Sequence, residues 1–329
     1  MRIGRIAFDI GASSHTFAAQ LDDKVETGKI DNTPEAIGRV LQSRLKRCER
    51  LQVLMEGTGI YYLDLALQAA EAGAEVMVVN PKAAHHFAKA MSQRSKTDLL
   101  DAKMLLAYLQ RMDFVPWTPP ARIALELRQF GRHLLRLVEQ QTRSKNQLHA
   151  LRSTQTAPAE LVEDLVEAIE LLDRRIARLT AKAMERVHGD AEVLARFEAL
   201  DSIKGVGEAT AIALLAELLV LPREMNSRAC VSHAGLDVRL RQSGTSVDAA
   251  PKLSKHGNRY LRRALYMPAM SAIAHDPHAR AFRDRLIAKG KKPKQAIAAV
   301  MRKMLTAAWA LVRNPDHYDG ARLYAPLEG

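Results

Sequence analysis

Arg5-Ile6-Ala7-Phe8-Asp9-Ile10-Gly11 and Gln52-Val53-Leu54-Met55-Glu56-Gly57 are two short apolar runs, each closing on an acid and a glycine. Runs of this length bounded by turn residues read as buried strands. Between them, Thr16 to Leu21 and Val25 to Ile30 flank Asp22-Asp23 as a hairpin. Thr33-Pro34 then opens a helix, with Thr33 as N-cap and Pro34 at the first helical position. A helix over 61–71 and a strand over 75–80, stopped by Pro81, complete the alternation. Strands alternating with helices predict an α/β layer with a mixed sheet.

In open α/β sheets, ligands collect beyond the carboxyl ends of the strands. Asp9 and Glu56 occupy such positions, although Asp9 reads equally well as a turn residue. The stretch Lys96 to Lys103 adds Asp98 and Asp101, three residues apart in helix-favouring sequence and so on one helix face. Like charges there repel by ~0.2–0.5 kcal/mol. Mg²⁺, which prefers hard carboxylate oxygens, would compensate them. The alternative makes Asp98 an N-cap and Asp101 its first-turn companion, both favoured by the helix dipole. Four carboxylates together argue for bound metal more strongly than any one of them.

Residues 114–120, with Trp117 and three prolines, read as a linker. Ile123, Leu127, Phe130, Leu134, Leu137, Leu148 and Leu151 then keep a helical frame, with Gln141 and Ser144 as polar interruptions. After a turn at Thr154 to Ala159, Leu165, Ile169, Leu172, Ile176, Leu179 and Ala183 repeat heptad spacing. The pattern predicts an antiparallel helical hairpin, serving as a strut or as an oligomer interface. Further on, Lys204-Gly205-Val206-Gly207 joins two helical stretches in the manner of a helix-hairpin-helix turn, where glycines let backbone N–H groups approach a phosphate. An ordinary tight turn explains the same residues.

Arg239 to Ser246 is polar, contains glycine and carries Arg239 and Arg241 beside Ser243. It reads as a flexible loop whose hydroxyl contacts phosphate, acts as a nucleophile or does neither. By composition, contact or plain loop outweighs catalysis. Lys252, Lys255, Arg259, Arg262 and Arg263 form a basic run, and Arg280 to Lys294 forms a second. The formal charge of +12 is uneven: Pro251 to Gly329 holds 16 Lys+Arg against 5 Asp+Glu, which leaves 33 against 32 for the rest. Charge runs are usually solvated faces. Two of them carrying nearly the whole excess predict a nucleic-acid surface.

Cys48 and Cys230 are the only cysteines, which excludes a disulfide framework or a zinc cluster of the usual kind. The histidines, including His85, His86, His233 and His256, lack metal-site spacing and read as packing or surface groups. The longest apolar stretch, Ala209 to Leu221, is too short to span a bilayer, and no signal peptide is evident. A cytoplasmic protein without membrane contact is expected.

Phe8-Asp9-Ile10-Gly11, Glu56-Gly57-Thr58-Gly59, Asn80-Pro81, Lys96-Thr97-Asp98 with Asp101-Ala102, and Arg262 to Ala269 occur in this order. Together they resemble the DEDD-type insertion-sequence transposases, the bridge-RNA-guided serine recombinases, from Asp9 to about Lys303. The resemblance implies a RuvC-like (RNase H-like) mixed-sheet domain over 1–115, a coiled-coil helical hairpin over 116–195, and a mainly helical C-terminal transposase domain over 196–329. It also implies that Asp9, Glu56, Asp98 and Asp101 hold Mg²⁺ and that Ser243 is the nucleophile. Ser246 is the near neighbour that a shifted alignment would select.

The implied reaction cuts and rejoins element and target DNA through a covalent phosphoserine, guided by a structured noncoding RNA. The implied assembly is a tetramer, a dimer of dimers, with acids from one subunit and serine from another. The implied place is the bacterial cytoplasm, at the nucleoid when active. Two other readings stand beside it: a RuvC-like nuclease using metal-activated water, and a non-catalytic nucleic-acid scaffold.

Overall fold

The computed structural model describes residues 2–91, 97–243 and 247–325, with the backbone alone for 240–243 and 247–251. The chain divides into two compact units, Met1–Pro119 and Pro120–Gly329.

In the first unit the order is β1 (Ile3–Ile10), β2 (Ser14–Leu21), β3 (Lys24–Asp31), α1 (Pro34–Leu45), β4 (Arg50–Glu56), α2 (Leu63–Glu71), β5 (Glu75–Val79), α3 (Pro81–Ala90) and α4 (Asp98–Arg111). The strands form one five-stranded sheet in the order β3-β2-β1-β4-β5. β1 is antiparallel to β2 but parallel to β4, and β4 is parallel to β5. This mixed sheet with helices is compatible with an RNase H-like fold.

Alternation along each strand sorts the side chains onto two faces. Ile6, Phe8, Val53 and Met55 meet Ile37, Leu41 and Leu65 of α1 and α2. Ala7, Leu54, Met77 and Val79 meet Ala102, Leu105, Leu106 and Leu109 of α4. Thr33 caps α1 as expected, its hydroxyl accepting from the Ala36 N–H. Asn80 does not end a strand. It caps α3, accepting from the Lys82 N–H at 2.9 Å, with Pro81 at the first turn. The 114–120 segment covers the outer edge of β5, where the Trp117 N–H donates to the Val76 carbonyl at 2.7 Å.

His15 of β2 is fully buried, and among the described residues neither ring nitrogen has a hydrogen-bond partner. Burial lowers its pKa from the ordinary 6.5, and the nearby Asn32 offsets only part of this. The unfolded chain therefore takes up the proton first as pH falls. The stability associated with neutral His15 is fully present above about pH 6.5 and is lost as pH falls below it toward the folded pKa, with a slope of at most about 1.4 kcal/mol per pH unit. Denaturant titrations on either side of that pH should show the slope, and His15→Leu should remove this part of it.

The second unit runs α5 (Arg122–Arg152), α6 (Ala159–His188), α7 (Ala191–Asp201), α8 (Glu208–Leu218), α9 (Ser227–His233), β6 (Val238–Ser243), β7 (Val247–Leu253), α10 (Arg259–His275), α11 (Pro277–Ala288), α12 (Pro293–Arg313) and α13 (Gly320–Tyr324). α5 and α6 form the expected hairpin. Glu126 pairs with Arg186 at 3.2 Å, while Gln141, farther along α5, bonds Asp173, earlier on α6. As one number rises the other falls, so the helices are antiparallel. α8 is buried at every residue from Ala211 to Leu218, in a core with Leu261, Leu265, Leu305 and Trp309.

α12 is long and apolar enough by composition to cross a membrane. Arg302 and Lys303 interrupt its apolar run, which is why 209–221 is the longer apolar stretch by sequence. Its Val300, Met304, Leu305, Ala308 and Trp309 are buried in this core, and the Trp309 indole N–H donates to the Met225 carbonyl at 2.9 Å. The expected loop at Arg239 to Ser246 is also corrected as far as Ser243, residues 244–246 lying outside the described ones. Instead of a loop the stretch begins a β-hairpin, β6 pairing antiparallel with β7 from Val238↔Leu253 to Ser243↔Val247.

Candidate active site

β1 and β4 run parallel and adjacent, with Phe8 opposite Met55. Their carboxyl ends therefore emerge side by side, carrying Asp9 and Glu56. Parity fixes the direction. Asp9 follows Ala7 by two residues and Glu56 follows Leu54 by two, so both acids share the face that α4 covers. α4 begins at Asp98, and its cap is Thr97, not Asp98: the Thr97 hydroxyl accepts from the Leu100 N–H at 3.2 Å. With the capping done by Thr97, both Asp98 and Asp101 stand in the first turn, where the helix dipole favours acids.

All four carboxylates line one open cleft of about 630 Å³. Asp98 is exposed and the other three are half-buried. The Thr58 hydroxyl donates to Glu56 Oε1 at 2.6 Å, and the Gly57 N–H donates to the Val79 carbonyl at 2.9 Å, fixing the turn after β4. Among the described residues, no three His, Cys, Asp or Glu groups stand close enough to hold an ion as placed. The four acids thus share a cleft without forming a closed ligand set. The opposite wall comes from α3, whose His85 and Lys89 also line the cleft. By sequence alone His85 reads as a packing or surface group. Its sequence signal was the Asn80-Pro81 cap, which starts a helix beside the strand ends.

In the second unit, Ser243 is the last described rung of the β6–β7 ladder, by backbone pairing with Val247. Its side chain and that of Arg241 lie outside the described residues, as do Ser246 and Lys96 altogether. Arg239 sits opposite Lys252 across the hairpin, and both are exposed. Like charges directly opposite each other on a sheet are destabilising without a counter-charge.

The other basic residues of the expected nucleic-acid surface divide in two. Lys204, Lys255 and Arg259 are exposed. Arg262 instead donates to the Ala234 carbonyl at 2.8 Å, tying α10 to the end of α9, and burial lowers its pKa. Arg263 is paired with Glu139 of α5.

Gly205 has a packing role. Its φ is +92°, and a Cβ there would lie 2.5 Å from the Pro268 carbonyl oxygen, so only glycine lets the turn close on α10. Gly207 has open space around it and caps α8. The second basic run is also partly spent inside the fold. Arg280 donates to the Ile273 carbonyl at 3.2 Å and Arg285 to the Tyr324 carbonyl at 2.7 Å.

Comparison with known proteins agrees over both units. Residues 6–155 match a family model described as a transposase, and residues 197–284 match one described as transposase, IS116/IS110/IS902 family. The pilin gene-inverting protein of Moraxella bovis is 30% identical over 281 residues, covering 85% of each chain. That of Moraxella lacunata gives the same figures. The insertion element IS110 protein of Streptomyces coelicolor is 32% identical over 158 residues, 46% of this chain and 38% of that one. A match that extends across most of both chains has one consequence: the chain belongs to the IS110-type family of DEDD-type insertion-sequence transposases, which act on DNA.

Proposed function

We propose that the chain recombines element DNA with target DNA through a covalent phosphoserine at Ser243, guided by a structured noncoding RNA and assisted by Mg²⁺. The observation that carries this reading is the shared cleft. Asp9, Glu56, Asp98 and Asp101 come from three separate elements and line one opening beyond the carboxyl ends of β1 and β4. The donor chemistry fits Mg²⁺, which takes hard oxygens and commonly only a few from protein. When bound, Mg²⁺ supplies charge neutralisation to phosphoryl oxygens during displacement.

The chain's own residues do the rest. Paired strands fix the spacing of the Asp9 and Glu56 carboxylates, and the Thr58 hydroxyl orients the Glu56 group. In the first displacement, the Ser243 oxygen forms a bond to phosphorus as the phosphorus–sugar oxygen bond breaks. The serine proton passes to a base, and the departing sugar oxygen gains one. One phosphoester replaces another, so rejoining needs no outside energy. Arg239, Arg241, Lys252, Lys255, Arg259 and Lys204 hold the backbone of DNA or RNA.

In this reading the first unit is the RuvC-like domain, and the α5–α6 hairpin is the coiled coil joining subunits of a tetramer. Composite sites then draw acids from one subunit and serine from another.

The test is incubation with end-labelled element DNA, the RNA encoded beside the element and Mg²⁺, resolved on a denaturing gel. A protein-linked DNA band that chelation removes is the expected result. Cut DNA without any protein-linked species would overturn the phosphoserine and favour a nuclease using activated water.

A further inference from the structure

α5 carries arginine at 128, 132 and 136, every fourth residue and therefore along one face. That face meets Glu217 of α8 and the start of α10. Glu217 is only 2% exposed and accepts from Arg132 Nε at 2.5 Å, Arg132 Nη2 at 3.0 Å and Asn258 Nδ2 at 2.6 Å. Arg128 Nε lies 3.7 Å from the same carboxylate. One carboxylate thus serves two guanidiniums.

Around the next residues the cationic excess grows. The Arg132 guanidinium lies 4.5 Å from the centre of the Tyr260 ring and that of Arg259 lies 5.1 Å from it. Arg259 Nη2 also reaches the Tyr260 oxygen at 3.4 Å, and Arg136, one turn beyond Arg132 on α5, is near enough to help lower the pKa of that phenol. Among the described residues, neither Arg136 nor Arg259 forms an ion pair within 4.0 Å, and both are exposed. Glu139, one turn along α5 from Arg136, is taken by Arg263. The seam therefore holds four guanidiniums (128, 132, 136 and 259) against the single carboxylate of Glu217, which pairs only the first two, an excess of three positive charges.

We propose that this seam between α5 and α10 is a phosphodiester-binding subsite. Arg136 and Arg259 take phosphate oxygens of a nucleic-acid backbone, while Tyr260 and Arg132 hold them in place. A planar guanidinium fork suits phosphate, and stacking on an aromatic ring fixes it before the ligand arrives. The Tyr260 phenol agrees with this picture. Burial raises its pKa, but the hydrogen bond from Arg259, the nearby Arg136 and the charges of Arg259 and Arg132 outweigh burial and bring it below the ordinary value. The subsite rests on the family's action on nucleic acid and is independent of the covalent step at Ser243.

The experiment measures binding of the full chain to duplex DNA, single-stranded DNA and single-stranded RNA of one sequence, across a salt series. Arg136→Gln with Arg259→Gln should weaken binding about tenfold or more. It should also flatten the slope of log K against log salt by ~1.8 on duplex or ~1.4 on a single strand, two phosphates' worth. The strand that shows the change identifies the ligand. Both residues lie outside the Glu217 pairing, so the fold should be retained. Arg136→Lys with Arg259→Lys, which keeps the charge, should recover most of the slope. Arg174→Gln with Arg178→Gln, exposed on α6, is the control. An unchanged slope on all three strands, or an equal loss in the control, overturns the subsite. A wild-type chain that binds but forms no protein-linked DNA would refute only the phosphoserine.

Discussion

Ser243→Ala should abolish the protein-linked DNA species and lower strand exchange by roughly 10⁴-fold or more, the scale on which loss of a nucleophile leaves only residual catalysis. The argument is chemical: alanine has no oxygen to attack phosphorus, and neither the acids nor the arginines replace that bond. The substitution removes one oxygen at the last described rung of a two-stranded ladder. Binding to DNA and RNA should therefore persist while the covalent band disappears. Ser246→Ala should retain the band. If Ser243→Ala keeps it and Ser246→Ala loses it, the nucleophile is the neighbour. If cutting continues at full rate without any covalent species, activated water does the work.

Glu217→Gln should destabilise the second unit by about 3–5 kcal/mol, the cost of removing one partner of a buried ion pair. The glutamine has nearly the same shape, so the loss is electrostatic. Arg132 and Arg128 would keep their charges with no carboxylate between them, and the new amide N–H₂ would face guanidinium donors. Their side chains are about a fifth to a quarter exposed. Water therefore relieves part of the cost and favours the lower end of that range. Denaturant unfolding with an unchanged m-value would show it as a lower midpoint. A loss below about 1 kcal/mol would mean that solvent already balances the two arginines.

The mixed sheet was legible because β1 and β4 carry compact apolar runs with turn residues at both ends. The α5–α6 hairpin was legible because leucines hold one frame through two long helices. α3 is the harder helix to see although its signal is present: Asn80-Pro81 is a helix cap and first turn, but beside an apolar strand the same proline reads as a stop. The β6–β7 hairpin was missed for a physical reason. Its strands mix arginine, glutamine and alanine with Pro251, and show no clean alternation of apolar and polar residues.

The candidate acids were found one by one, but their meeting in a single cleft depends on strand order, which no local pattern reveals. The pairing of Glu217 with α5 was equally invisible, since its partner lies 85 positions away. By sequence, Glu217 is only a lone charge inside the apolar stretch from Ala209 to Leu221. The basic run was read as a whole, whereas Arg262, Arg263, Arg280 and Arg285 are partly consumed in holding helices together.

Neighbouring parallel strands also restrict how this protein can change in length. Losing or gaining one amino acid between Ile3 and Asp9 would turn the first carboxylate through half a turn and bury it among the hydrophobic side chains beneath α1. Drift in size should therefore be tolerated in the connecting segments, such as the one between α1 and β4, and purged within the strands themselves. Natural variants of this chain should record that contrast in where their gaps fall.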